Sequence, residues 1–264
     1  MKMTGNMILI TGGGSGIGRA MAEEFHKLGN QVIVAGRRKA VLDEVTAANP
    51  GMHAAVLDVQ NADALREFVA TVEREHPGLN VLINNAGIMK IEDLNEPADG
   101  AGADFSAVEA IVDTNLIAPL RLTAALLPLL KKQAQATVMT VSSGLAFVPL
   151  AMTPTYCATK AAIHSWTQSL RYQLQGTAVQ VMELIPPYVQ TELMGSQQTS
   201  DPRAMPLREF IAEVMELLKT HPDAKEICVQ RVYPMRFAAE QGQAKYDGIF
   251  TGLNDGMKAA RAGH

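Results

Sequence analysis

Apolar and polar positions follow two rhythms along the chain. Short, nearly unbroken apolar runs read as strands buried on both faces: MILIT (7–11), QVIVAG (31–36), HAAVLDV (53–59), NVLINNAG (80–87), ATVMTVSS (136–143) and VQVMELIP (179–186). Between them lie stretches with a helical period, at 17–29, 39–48, 61–76, 104–132 and 155–175. Leu28-Gly29-Asn30 is a helix stop before the second strand. Strands alternating with helices at this spacing predict an α/β fold: one domain over 1–264, a Rossmann-type doubly wound parallel sheet of six strands, or seven. GSQQTSDPRAMP (195–206) reads as the least ordered stretch, and the chain beyond it reads as helical. There Phe210, Ile211, Val214, Leu217 and Leu218 keep one helical period, while Ile227, Val232 and Phe237 fit a further helix broken near Pro234. YDGIFTGLN (246–254) is too interrupted by glycine for a buried strand.

Composition narrows the classes. The 264 residues are 47% hydrophobic, enough for a substantial core, and the 19% charged fraction is that of an ordinary globular chain. A net charge of −4 without a basic tract argues against nucleic acid as a partner. No apolar run reaches the roughly 20 residues of a spanning helix, and the first apolar run is too short for a signal peptide. The expectation is a cytoplasmic protein with no membrane partner. The two cysteines, Cys157 and Cys228, make neither a disulfide framework nor a metal-ligand cluster, so no metal is expected.

Two local patterns carry chemistry. TGGGSGIG (11–18) joins the first strand to the first helix, and five of its eight residues are glycine. A helix N-terminus offers free N–H groups and the positive end of a dipole, and side chains in the turn would hold a phosphate away from them. The spacing of Gly12, Gly16 and Gly18 is GxxxGxG rather than GxGxxG; by itself it also suits a purely structural turn. Tyr156 and Lys160, four apart on a predicted helix, share one face about 6 Å apart at Cβ. A neighbouring ammonium favours phenolate, and a phenol tuned downward exchanges a proton with a carbonyl or alcohol oxygen. The same spacing occurs by chance in many helices. Ser143, 13 residues before Tyr156, can hydrogen-bond the same oxygen, with Ser142 as its competitor. His26 and His164 read as surface or packing residues, and Cys157 as an inert thiol.

Together TGGGSGIG, NNAG (84–87), Asn115, Ser143 and YCATK (156–160) resemble the short-chain dehydrogenase/reductase family, in its TGxxxGxG and YxxxK branch, over roughly residues 5–194. The tail YPMRFAAEQGQAKYDGIFTGLN is similar to the DltE-like group of that family. The resemblance implies an oxidoreductase that moves hydride between a nicotinamide cofactor and a small carbonyl or secondary alcohol. It implies Ser143, Tyr156 and Lys160 as catalytic residues, with Asn115 supporting a water that links Lys160 to solvent. For the cofactor it implies Gly12, Gly14, Ser15, Gly16, Ile17 and Gly18 in the turn. It adds Asp58 and Val59 facing the adenine, Asn85, Ala86 and Gly87 on the adenosine side, Tyr156 and Lys160, and Pro186, Val189 and Thr191 at the nicotinamide end. Pro187 departs from the family, whose members often carry glycine there, and lacks an N–H donor.

Gly36 stands where NAD-binding relatives usually end the second strand in an acid, and Arg37 and Arg38 follow it. A guanidinium grips a 2′-phosphate bidentately, so NADP(H) is expected ahead of NAD(H), although Ser15 is not the basic residue some NADP-binding relatives carry in the turn. Substrate choice is expected from 88–105, 144–155 and the chain after 191, with 195–264 a substrate-side and C-terminal extension. The long fourth and fifth helices are available for an isologous contact, so a homodimer is expected. Two other readings remain open at this point: a nucleotide-binding sensor or scaffold without turnover, and a sugar-nucleotide epimerase or dehydratase.

Overall fold

The computed structural model describes residues 1–93 and 105–262. Among them seven strands form one parallel sheet: β1 (Met7–Thr11), β2 (Gln31–Gly36), β3 (His53–Val56), β4 (Val81–Asn84), β5 (Ala136–Val141), β6 (Val179–Ile185) and β7 (Glu226–Cys228). Their order is β3-β2-β1-β4-β5-β6-β7, so the winding reverses between β1 and β4. In an open parallel sheet that reversal opens a crevice beyond the carboxyl ends of the strands. The helices are α1 (Gly16–Lys27), α2 (Lys39–Ala48), α3 (Ala62–Glu75), α4 (Ser106–Val112), α5 (Ala118–Leu130), α6 (Pro154–Gln173), α7 (Leu207–Thr220), α8 (Tyr233–Arg236) and α9 (Gln243–Ala262).

Alternation along the strands divides the core. Ile8, Ile10, Val32 and Val34 join Phe25 of α1, Leu42 of α2 and Phe210 of α7 in one layer. Leu9 and Ile33 join Leu65 of α3, Leu122 of α5 and Leu170 of α6 in the other. Phe25 and Phe210 are fully buried, each contributing about 1.5–3 kcal/mol. The first helix ends as read: Gly29, at φ +81°, donates its N–H to the His26 carbonyl.

Several boundaries differ from the sequence reading. The third strand stops at Val56 because Asp58 turns the chain: its Oδ1 accepts from Gln60 N at 3.1 Å and its carbonyl from Asn61 N at 3.1 Å. The segment 104–132 is not one regular helix but α4 and α5 joined by a π turn at Asp113–Ile117, and residue 104 lies outside the described residues. With that turn, Ser106–Leu130 is long and apolar enough by length and composition to cross a membrane, contrary to the expectation that no run reaches this. In the fold its Leu122, Leu126 and Leu130 pack on the sheet.

Beyond residue 206 the chain is not all helical. Ile227 lies in β7, opposite Leu184 of β6, rather than in a helix. Val232 ends a 3-10 turn, Phe237 follows α8, and Pro234 opens α8 instead of breaking a helix, a place where its missing N–H is harmless. YDGIFTGLN belongs to α9. The stretch 195–206 is built, not loose: Ser196–Ser200 winds a 3-10 turn around buried Gln198, and Met205 pairs with the segment after β6 through Met205 N to Tyr188 O and Gln190 N to Met205 O, both 2.8 Å.

Candidate active site

The carboxyl ends of β2, β1, β4, β5 and β6 line one cleft of about 650 Å³, within the range of small-molecule sites. Across it stand Arg37 and Arg38 after β2, Gly12, Ser15, Gly16 and Ile17 after β1, and Asn85, Ala86 and Gly87 after β4. Ser142 and Ser143 follow β5, Pro186, Val189 and Thr191 follow β6, and α6 supplies Tyr156 and Lys160.

The glycines explain themselves by contact. Gly12 has φ +66°, and a Cβ there would sit 2.9 Å from Ala86 Cα. A Cβ on Gly18 would meet Asn85 Nδ2 at 2.4 Å and the Gly12 carbonyl oxygen at 2.5 Å. The turn thus lies directly on NNAG, and Thr11 ties the two together. Its Oγ1 accepts from Asn85 N and Ala86 N, each at 3.1 Å, and its carbonyl accepts from Asn85 Nδ2 at 3.0 Å. Gly16, at φ +53°, opens α1 facing the cleft. The first turn of α1 carries no acid, and Ser15 makes no capping hydrogen bond to it. Free N–H donors, a bare cradle and two arginines at one end fit a dinucleotide pyrophosphate and its ribose. Gly14 and Gly18 do not line the cleft; they support it from behind, Gly14 packing on Val41.

Asp58 and Val59, expected to face the adenine, are not among the residues that line the cleft. The Asp58 carboxylate serves the turn into α3, and Val59 is buried in the second core layer. The chain offers Gln60 to the cleft instead, fixed by Gln60 Nε2 to Thr114 Oγ1 at 2.8 Å. Asn115, in the π turn, also lies off the cleft lining. Its Oδ1 accepts from Ile88 N and its Nδ2 donates to Ile88 O, both at 2.9 Å, and Nδ2 reaches Thr159 Oγ1 at 3.2 Å. It clamps the strand-end backbone beside Gly87 to α6.

Tyr156 and Lys160 share the buried face of α6. The Lys160 ammonium donates to the Val141 carbonyl at 2.7 Å and lies 5.5 Å from the Tyr156 ring centroid. Burial lowers Lys160 to about 8, with Glu183 opposing the shift. The expectation of a lowered phenol is not met by the chain alone: burial raises Tyr156 well above its ordinary value, and hydrogen bonding with Ser143 offsets only part. The lysine charge is directed at the backbone rather than at the phenol oxygen. Ser143 is therefore the serine paired with Tyr156; its Oγ also accepts from Leu145 N at 3.1 Å.

Some participants were not foreseen. Gln198 holds the loop after β6, donating from Nε2 to Val189 O at 2.6 Å and to Thr191 Oγ1 at 3.0 Å, and accepting from Met194 N at 2.9 Å. Leu253 and Met257 of α9 enter the cleft lining. His164 is more than a packing residue: its Nδ1 lies 2.8 Å from fully buried Glu183. His164, Glu183 and Glu226 present ligand atoms within 4.8 Å of one another, and Glu226 is also held by Arg236 at 2.7 Å. An acid inside the run VQVMELI was the available signal, since a buried carboxylate requires a partner.

The family profile described as short chain dehydrogenase matches residues 6–202. The uncharacterised oxidoreductase DltE of Bacillus subtilis (strain 168) is 39% identical over 259 residues, covering 96% of this chain and 98% of that protein. A short chain dehydrogenase of Burkholderia cenocepacia solved with NADP superposes at TM-score 0.76 with 23% identity, over 96% of this chain and 99% of that one. One of Burkholderia phymatum solved with NAD superposes at TM-score 0.76 with 19% identity, over 91% and 95%. The profile match and the DltE likeness fall on the residues that build the cleft, and this chain belongs to the short-chain dehydrogenase family as an oxidoreductase of its DltE-like group.

Proposed function

We propose that this protein interconverts a carbonyl compound and its secondary alcohol with NADP(H). The observation that carries the reading is the convergence of Ser143, Tyr156 and Lys160 on the same cleft as the open N-terminus of α1. When bound, the nicotinamide supplies or accepts the hydride, which joins or leaves the carbonyl carbon. The chain handles the proton. Tyr156 Oη gives it to the substrate oxygen in reduction and removes it in oxidation. Burial keeps the Tyr156 phenol protonated in the chain alone, so the hydroxyl carries the proton to be given. Ser143 holds the oxygen in place, and Lys160 places its charge beside the tyrosine. Asn115 acts as a positioning residue through Ile88 and Thr159. Val189 and Thr191 flank the nicotinamide end beside Pro186, and Gly12, Gly16 and Ala86 carry the pyrophosphate side.

Arg37 and Arg38 support the choice of NADP(H) over NAD(H). Arg38 already reaches across to the glycine turn, its guanidinium 3.4 Å from Ser15 Oγ. Charge-assisted bonds to the 2′-phosphate should favour NADPH by about ten- to a hundredfold. Titration of the protein with each cofactor checks this, and the paired change Arg37→Ala, Arg38→Ala should erase the difference. Tighter binding of NADH by the unaltered chain would refute the assignment. A cofactor-dependent absorbance change with a panel of carbonyls tests turnover itself.

The same reading takes the protein to be a cytoplasmic homodimer that works without nucleic acid, membrane or metal. The described cysteines, Cys157 and Cys228, are both free, in keeping with a reducing compartment. The outward faces of α5 and α6, where Tyr172 stands 74% exposed, are the contact surface we favour. Light scattering at micromolar concentration should give the mass of two chains; a mass of one or four chains counts against it.

A further inference from the structure

The cleft changes character along the sheet. The end at β2 and β1 is basic and backbone-lined. The end at β5, β6 and α9 is formed by Met89, Leu150, Met194, Met235, Leu253 and Met257. Leu253 and Met257 pack with Leu150 and Tyr156 in one small apolar cluster. The side of α9 that makes this contact is fastened by Asn254, which accepts from Ala151 N at 2.6 Å and donates to the Pro149 carbonyl at 3.2 Å.

Among the described residues, the polar groups at this end are engaged or exposed at its mouth, except at one point. Gln198 is fully engaged by Val189, Thr191 and Met194. The Tyr188 hydroxyl lies 3.1 Å from Asp201 Oδ2. Lys90 and Glu192 also line the cleft, but both are exposed to solvent rather than enclosed with the apolar cluster. What remains is the group of hydroxyls at Ser142, Ser143 and Tyr156, and Ser142 Oγ is buried with no protein partner. A compartment of this kind binds a single oxygen and otherwise meets hydrocarbon. A carboxylate or several hydroxyls would lose water there without replacement, which burial penalises. Methionines, unbranched and polarizable, suit a flexible apolar body of variable outline.

We propose that the substrate is an uncharged carbonyl compound, or the matching secondary alcohol, with one polar oxygen and an otherwise hydrocarbon body lying between α9 and the loop after β6. This rests on the carbonyl-reducing reading above. The test uses the full chain with NADPH and straight-chain methyl ketones from butanone to decanone, alongside α-keto acids of the same lengths and dihydroxyacetone. The expected result is kcat/KM rising about threefold per added methylene until the compartment is full, because each buried methylene adds hydrophobic transfer energy. The keto acids should fall at least about tenfold below their ketone counterparts. Leu253→Asp should flatten the chain-length series. Preference for the keto acids or dihydroxyacetone would overturn the substrate class while leaving the reductase reading intact. If none of the compounds is reduced, the reductase reading fails, and calorimetric titration of the ketones into the NADP-saturated chain decides the class by itself. Affinity that grows with chain length upholds an apolar ligand, and absence of binding overturns it.

Discussion

Tyr156→Phe is expected to retain the fold and NADPH binding and to lose turnover by about 10²–10⁴-fold, the usual consequence of removing a proton-transfer group. The tyrosine is 6% exposed and packs with Met89, Leu150 and Cys157, so phenylalanine keeps the ring contacts. What it removes is the hydroxyl paired with Ser143, the proposed proton donor. Ser143 keeps its other bond, accepting from Leu145 N, so the loop after β5 stays in place. Comparison of kcat on a reducible ketone, with thermal unfolding and cofactor titration as controls, separates chemistry from structure. Turnover within about threefold of the parent would show that another group supplies the proton.

Gly18→Ala should be the most destabilising single methyl that can be added to the site. The new carbon would lie 2.4 Å from Asn85 Nδ2 and 2.5 Å from the Gly12 carbonyl oxygen. Neither can retreat: the amide is bonded to the Thr11 carbonyl, and the carbonyl is backbone of a turn at positive φ. Overpacking of this severity costs about 3 kcal/mol. At about 2–4 °C per kcal/mol for a domain of this size, Tm should fall by about 6–12 °C, with cofactor affinity falling alongside. Gly248→Ala is the matching control. That glycine lies in α9 with open space around its Cβ position, so alanine should add up to about 1 kcal/mol through helix propensity and raise Tm. An unchanged Tm in Gly18→Ala would mean that the turn does not sit on NNAG as described.

The strands that carry the cleft were legible because each is a mainly apolar stretch buried along most of its length, and the motifs stand at the ends of those stretches. Three features escaped for physical reasons. β7 is three residues long with Ile227 alone fully buried, too short to show a period. Gln198 lies in a polar stretch whose composition signals a loop, while its order comes from side-chain bonds to backbone groups that no local pattern encodes. The third strand was read to Val59 because apolar residues continue past Val56, although Leu57 and Val59 are buried after the strand has ended and Asp58 makes the turn.

Because Thr11 binds NNAG through three hydrogen bonds, the phosphate cradle and the ends of β1 and β4 form one preformed solid. Docking a nucleotide there demands no ordering of loop residues, so binding energy is not diminished by that cost. The arginines proposed to discriminate between cofactors sit one strand away, after β2, and Arg38 reaches the turn at Ser15. Grip and discrimination are therefore separable modules. If the proposed roles hold, changing Arg37 and Arg38 should alter cofactor choice without redesigning the glycine turn.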